Sequence, residues 1–141
     1  MTTRERFASA RVARLATTGT DGPHVVPVVF ALDGDTIYHA VDHKPKRTTA
    51  LKRLANLRAD PRASLLADHY DEDWSRLWWA RADGTARILE PGREPAIALL
   101  RERYPQYRDR PPEGPVVAVD VTRWSAWTGE AARRPGGRAE W

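Results

Sequence analysis

The chain has 141 residues, enough for one ordinary hydrophobic core and not for two. Hydrophobic residues make up 41%, six of them tryptophan, which argues for a packed fold, and no apolar run approaches the roughly 18 residues of a membrane span. Zero cysteines exclude disulfides, thiolate metal sites and cysteine nucleophiles, and the net charge of +4 is too modest and too scattered to demand a nucleic-acid surface. The opening Met1-Thr2-Thr3-Arg4-Glu5-Arg6 does not lead into the apolar core of a signal peptide, so the expected compartment is the cytoplasm.

Phe7, Ala8 and Ala10 in a polar stretch predict a short helix, and residues 12–17 predict a strand closed by the turn-rich segment Gly19-Thr20-Asp21-Gly22-Pro23. Residues 25–32 are β-branched and aromatic and predict a second strand, in which Pro27 implies an edge, a bulge or a break. Asp33-Gly34-Asp35 is a hairpin signal, and residues 36–41 return as a third strand. A helix follows, with Thr48 or Thr49 able to cap its start, Leu51, Leu54, Ala55 and Arg58 along one face, and Asp60-Pro61 stopping it. Residues 63–70 read as a strand and 77–89 as a long Trp-rich strand with a break near Asp83-Gly84. Residues 94–104 have helical spacing, and 116–121 form the last core strand. The tail from Ala131 is rich in Gly, Arg and Ala and is expected to be flexible. Residues 1–130 thus form one domain: six strands with short connections and peripheral helices, a mainly β, α+β antiparallel barrel whose closure disposes of its edges.

Only three of the 23 basic residues are lysines, and Lys44, Lys46 and Lys52 fall within nine positions. With His43, Arg47 and Arg53 they surround a helix start, where unpaired N–H groups and the positive end of the dipole favour phosphate. Thr48 and Thr49 add hydroxyl donors. Cations beside a positive dipole end are unfavourable unless something negative lies between them, so the segment 43–53 points to an anionic, phosphate-bearing ligand; the alternative is a solvated basic helix face. His39, Asp42, His43, Asp68 and His69 offer metal donors, but in no recognised zinc spacing, and no metal is expected. His24 and His69 have no serine or cysteine partner nearby. Trp74, Trp78 and Trp79 serve packing or form an aromatic wall for a planar ring. Because adjacent strand residues face opposite ways, Trp78 and Trp79 can divide these roles. Asp71-Glu72-Asp73 lacks the spacing and glycine of a calcium loop. No dinucleotide glycine motif, phosphate loop or nucleophile elbow is present, so a bound cofactor would do any chemistry.

Several segments in order carry a family likeness: Arg14-Leu15-Ala16-Thr17; Gly22-Pro23-His24-Val25-Val26-Pro27-Val28-Val29-Phe30; Asp42-His43-Lys44-Pro45-Lys46-Arg47-Thr48-Thr49; Asn56-Leu57-Arg58-Ala59-Asp60-Pro61-Arg62-Ala63-Ser64-Leu65-Leu66; Asp73-Trp74-Ser75-Arg76-Leu77-Trp78-Trp79; and Arg123-Trp124-Ser125-Ala126-Trp127. Together they resemble the flavin and deazaflavin oxidoreductases of the split β-barrel fold related to pyridoxamine 5′-phosphate oxidase, most closely the actinobacterial F420-dependent branch.

The resemblance implies a six-stranded split barrel that forms a homodimer with cofactor sites at the subunit interface. It implies phosphate contacts from Lys46, Arg47, Thr48 and Thr49, with Lys52, Arg53 and Asn56 on the helix behind. Val26, Pro27 and Val28 would line the ring, and Trp79 would stand near it. The segment between Pro45 and Asn56 is about one helical turn longer than in some relatives, which leaves open which cation meets the phosphate. Coenzyme F420, with its polyanionic tail, suits the local surplus of cations; FMN is the alternative. The substrate would be a small unsaturated or conjugated molecule. Tyr38, His43 or water could supply a proton, and no catalytic residue is assigned. A flavin- or haem-carrying barrel is the non-enzymatic alternative. A nucleic-acid-binding barrel ranks lowest, because the cations and tryptophans are not interleaved.

Overall fold

The computed structural model describes residues 1–41 and 48–130. Its elements in chain order are α1 (Thr3–Ser9), β1 (Ala13–Gly19), β2 (Gly22–Val28), β3 (Ala31–Asp33), β4 (Thr36–Ala40), α2 (Thr48–Ala59), β5 (Arg62–His69), a turn of 3-10 helix (Trp74–Arg76), β6 (Trp78–Leu89), α3 (Glu94–Arg103), α4 (Pro105–Asp109) and β7 (Val116–Thr128). No helix among the described residues is long and apolar enough to cross a membrane.

The strands form one antiparallel sheet in the order β2-β1-β5-β6-β7-β4-β3. Among the described residues seven strands, not six, are present, because the segment 25–32 is two strands. Val28 ends one and Ala31 begins the other, at opposite ends of the sheet. Only Val29 and Phe30 join them, so the two Cα atoms are at most about 11 Å apart. The sheet must therefore curl until its ends approach. Among the described residues no ladder joins β2 to β3, so the barrel is split rather than closed, and both edges remain. Pro27 stands in an unbroken β2, tolerated because β2 is an edge strand.

Alternation decides what lies inside. Ala13 and Leu15 of β1, Val26 and Val28 of β2, Ile37 of β4, Ala63, Leu65 and Ala67 of β5, Ala80 and Ala82 of β6 and Val117 and Val119 of β7 make the core, with Phe7 of α1 and Leu54 and Leu57 of α2. A smaller cluster, Ala31, Leu100 and Tyr104, seats α3 against β3. At the β3–β4 hairpin Gly34 has a φ of 59°, the left-handed conformation that a two-residue turn requires there. The register of β6 against β7 shifts between Asp83 and Gly84, a β-bulge where a Cβ on Gly84 would overlap the carbonyl of Asp120. The last strand runs to Thr128, well beyond residue 121, because β6 supplies partners for Trp124 and Trp127 in Ala82 and Trp79. The helix expected after Thr48 or Thr49 takes in both threonines as its first two residues. The tail from Ala131 lies outside the described residues.

Candidate cofactor site

The outward positions of β1, β2, β5 and β6 form one continuous surface, because register places them side by side. Val25 is opposite Ala16, Ala16 opposite Ser64, Arg14 opposite both Pro27 and Leu66, and Leu66 opposite Arg81. This face is unusually apolar: Val25 is 61% exposed and Leu66 36%. Between them, Arg14, Ala16, Ser64, Trp79 and Arg81 complete the walls of an open hollow of about 510 Å³. A second hollow of about 620 Å³ shares Ala16 and Ser64 and continues past Thr18, Pro23 and Asp83. Adjacent Trp78 and Trp79 do divide their roles: Trp78 packs on the core, and Trp79 lines the hollow.

The rim charges are matched. Arg14 pairs with Asp68 at 2.9 Å, Arg81 with Asp83 at 3.2 Å, and the Ser64 hydroxyl donates to Asp83 at 2.5 Å. Arg81 also lies 5.7 Å from the Trp79 ring centre. The hollow therefore offers apolar and aromatic surface with little net field, suited to a flat conjugated ring rather than to a charged group.

The cationic part lies on α2. Lys52 pairs at 2.7 Å with Asp21 in the β1–β2 turn, and this bond holds the Asp21 carboxyl below its usual range. The Asn56 amide donates to Thr17 at 3.2 Å, and its side chain occupies the space that a Cβ on Gly19 would need. These contacts fix α2 against the end of the β1–β2 hairpin. Arg53 is different. Burial disfavours its charge, and its Nε has no partner among the described residues.

The expected site residues thus fall into three groups. Lys52, Arg53 and Asn56 lie on α2, with Thr48 and Thr49 at its first positions. Trp79 and Pro27 face the outer surface, three strand spacings apart, or about 14 Å. Val26 and Val28 point into the core, at 9% and 7% exposure, so their contribution to the outer face is confined to backbone. His43, Lys44, Lys46 and Arg47 lie outside the described residues, as does Asp42. The potential metal donors point apart: His39 lies in the interior, Asp68 pairs with Arg14 outside, and His69 stacks on Trp78. Sequence reasoning did not mark Val25, Leu66, Arg14 or Arg81 as site residues. Their only local signal was an apolar or cationic residue on the solvent side of an alternating strand.

Residues 2–128 match the family model of pyridoxamine 5′-phosphate oxidase. The chain belongs to this family. Its fold is that of the family's flavin-binding oxidoreductases. A conserved hypothetical protein of Mycobacterium tuberculosis is 25% identical, with 96% of this chain and 89% of that one covered at a TM-score of 0.75. An FAD-binding protein of Mesorhizobium loti is 19% identical, with 87% and 89% covered at 0.65. An FAD-binding protein of Mycobacterium smegmatis is 18% identical, with 87% and 88% covered at 0.60. No curated protein matches the chain.

Proposed function

We propose that this member of the oxidase family is an F420-dependent oxidoreductase. It transfers a hydride between the reduced deazaflavin and a small unsaturated or conjugated organic molecule, and it works as a homodimer with cofactor sites at the subunit interface. The observation that carries the reading is the Trp79 hollow, an apolar recess on an outward sheet face whose own charges are already paired.

The residues suit such a group. Trp79, Leu66 and Val25 offer the ring an apolar seat, and the free edge of β2 offers it backbone donors and acceptors. Arg53, with an unpartnered buried nitrogen, suits the anionic end, as do Lys44, Lys46 and Arg47 in the sequence before α2. Five cations between residues 44 and 53 exceed what one terminal phosphate needs, which favours the longer anionic tail of F420. When bound, that cofactor supplies a hydride at low potential. The chain's own part is to orient the ring and to keep water from it. Among the described residues no carboxyl, imidazole or phenol lines the hollow, and the Ser64 hydroxyl is already donated to Asp83.

FMN is the second reading, favoured by the FAD-binding proteins that share the fold. Parallel titrations with F420 and FMN, followed by quenching of tryptophan fluorescence, test both readings. Saturable F420 binding, lost on Trp79→Ala, is the expected result. Tight FMN binding without F420 binding supports the second reading, and no saturable binding of either refutes both.

A further inference from the structure

A third hollow, of about 280 Å³, lies between α1, the 3-10 turn and the end of β7, with Arg6, Ser9, Arg76, Trp78, Thr128 and Glu130 in its walls. Trp78 faces this hollow and Trp79 the ring hollow, so the two recesses open on opposite faces of β6. The walls are tied together. Asp73 caps the 3-10 turn, accepting from the Ser75 amide at 3.1 Å and the Ser75 hydroxyl at 2.7 Å, and the Gly129 amide donates to the Leu77 carbonyl at 2.8 Å. A Cβ on Gly129 would overlap the Trp74 carbonyl, so the end of β7 is pressed against the turn and carries Glu130 to the rim.

Its charges are arranged unlike those of the ring hollow. There Arg14 meets Asp68 and Arg81 meets Asp83 directly. Here the half-buried Arg6 lies with its guanidinium 5.7 Å from the Trp78 ring centre and has no carboxylate within ion-pair distance among the described residues. Arg76 stands 3.8 Å from Asp73, a long contact to a carboxylate already engaged in capping the turn. Glu130 lines the same recess and pairs with neither guanidinium among the described residues. Unlike charges held apart around one small recess complement a molecule that carries both signs. A guanidinium fork grips a carboxylate, a carboxylate accepts from an ammonium, and an indole offers apolar surface. A simple anion would leave Glu130 unmatched, and a simple amine would face two arginines. The volume lies just below the range of about 300–1,000 Å³ usual for ligand pockets, which limits the occupant to a small molecule.

We infer that this hollow is a second binding site, for a free α-amino acid with an apolar side chain. Arg6 and Arg76 hold its carboxylate, Glu130 its ammonium group, and Trp78 packs against its side chain. The site lies outside the ring hollow and requires no cofactor.

The test is NMR of the full chain labelled with ¹⁵N at its six indoles, titrated with L-phenylalanine, with 3-phenylpropionate, which lacks the ammonium group, and with 2-phenylethylamine, which lacks the carboxylate. Saturable displacement of the Trp78 resonance by phenylalanine is expected, with the apparent Kd at least tenfold higher for either analogue. Arg6→Gln should raise the Kd for phenylalanine about tenfold, and Glu130→Gln should erase the preference for phenylalanine over 3-phenylpropionate. Phenylalanine that moves no indole to saturation, or that moves Trp79 while Trp78 stays in place, overturns the site. Equal binding of phenylalanine and 3-phenylpropionate by the wild type overturns it too, because the hollow would then select an anion only. Should Arg6→Gln fail to fold, the wild-type comparison and the variant at the exposed Glu130 still decide.

Discussion

The phenol of Tyr104 accepts from the amide N–H of Phe30 at 3.1 Å and lies 2.9 Å from the carbonyl of the same residue, with the carbonyl of Arg11 also within reach. Phe30 is half of the two-residue link between the sheet's ends, so one hydroxyl satisfies the backbone where no ladder can. Tyr104→Phe leaves a buried N–H unpaired while changing little volume. It should cost about 2 kcal/mol, read as a Tm lowered by several degrees, with cofactor affinity unchanged.

Gly19→Ala should destabilise the fold, because the new methyl group displaces the Asn56 side chain and breaks its bond to Thr17. The loss should be about 1–3 kcal/mol. In an Asn56→Ala background the same substitution should cost far less. A double-mutant cycle by denaturant unfolding measures this coupling, and additive effects would separate the two residues.

Leu66→Arg tests the outer face. The side chain is 36% exposed in one chain, so the fold should tolerate arginine with little change in stability. Sedimentation should show wild-type dimers and monomeric variant, with cofactor binding weakened in parallel. A wild-type monomer would refute the interface role of this face.

Acid should weaken the protein through His39. Its folded pKa of about 3 lies below the ordinary value of 6.5, so between these limits the unfolded chain binds the extra proton. Stability then rises with pH through this window: it is complete above about 6.5 and lost as pH falls toward 3, with a slope approaching 1.4 kcal/mol per pH unit. Urea midpoints between pH 4 and 8 measure it. His39→Phe should flatten the profile, and an unchanged profile would show that His39 is not its source.

Local pattern carried most of the fold. Alternation marked the strands, Asp33-Gly34-Asp35 the hairpin and Asp60-Pro61 the end of α2, since each depends on near neighbours. The break between β2 and β3 was not legible, because Val28, Val29, Phe30 and Ala31 are uniformly apolar and a change of sheet edge leaves no periodicity behind. The outward role of Trp79 followed from its adjacency to Trp78. Val25 and Leu66 carried no such signal: each is a single apolar residue out of phase until four strands are laid side by side. His39 read as a metal donor or as nothing, since only packing reveals that its ring is buried.

The placement of β4 beside β7 also governs how the chain must fold. The β3–β4 hairpin is complete by Ala40, yet its next ladder partner among the described residues begins at Val116. Until then Ile37 lacks its partner Val119 and the Val41 amide lacks the Pro115 carbonyl, and the barrel cannot curl shut from the N-terminal side alone. Such distant pairing makes for slow, late closure, with an exposed strand edge in the interval. On the ribosome, the N-terminal half must wait for the last strand before it becomes native.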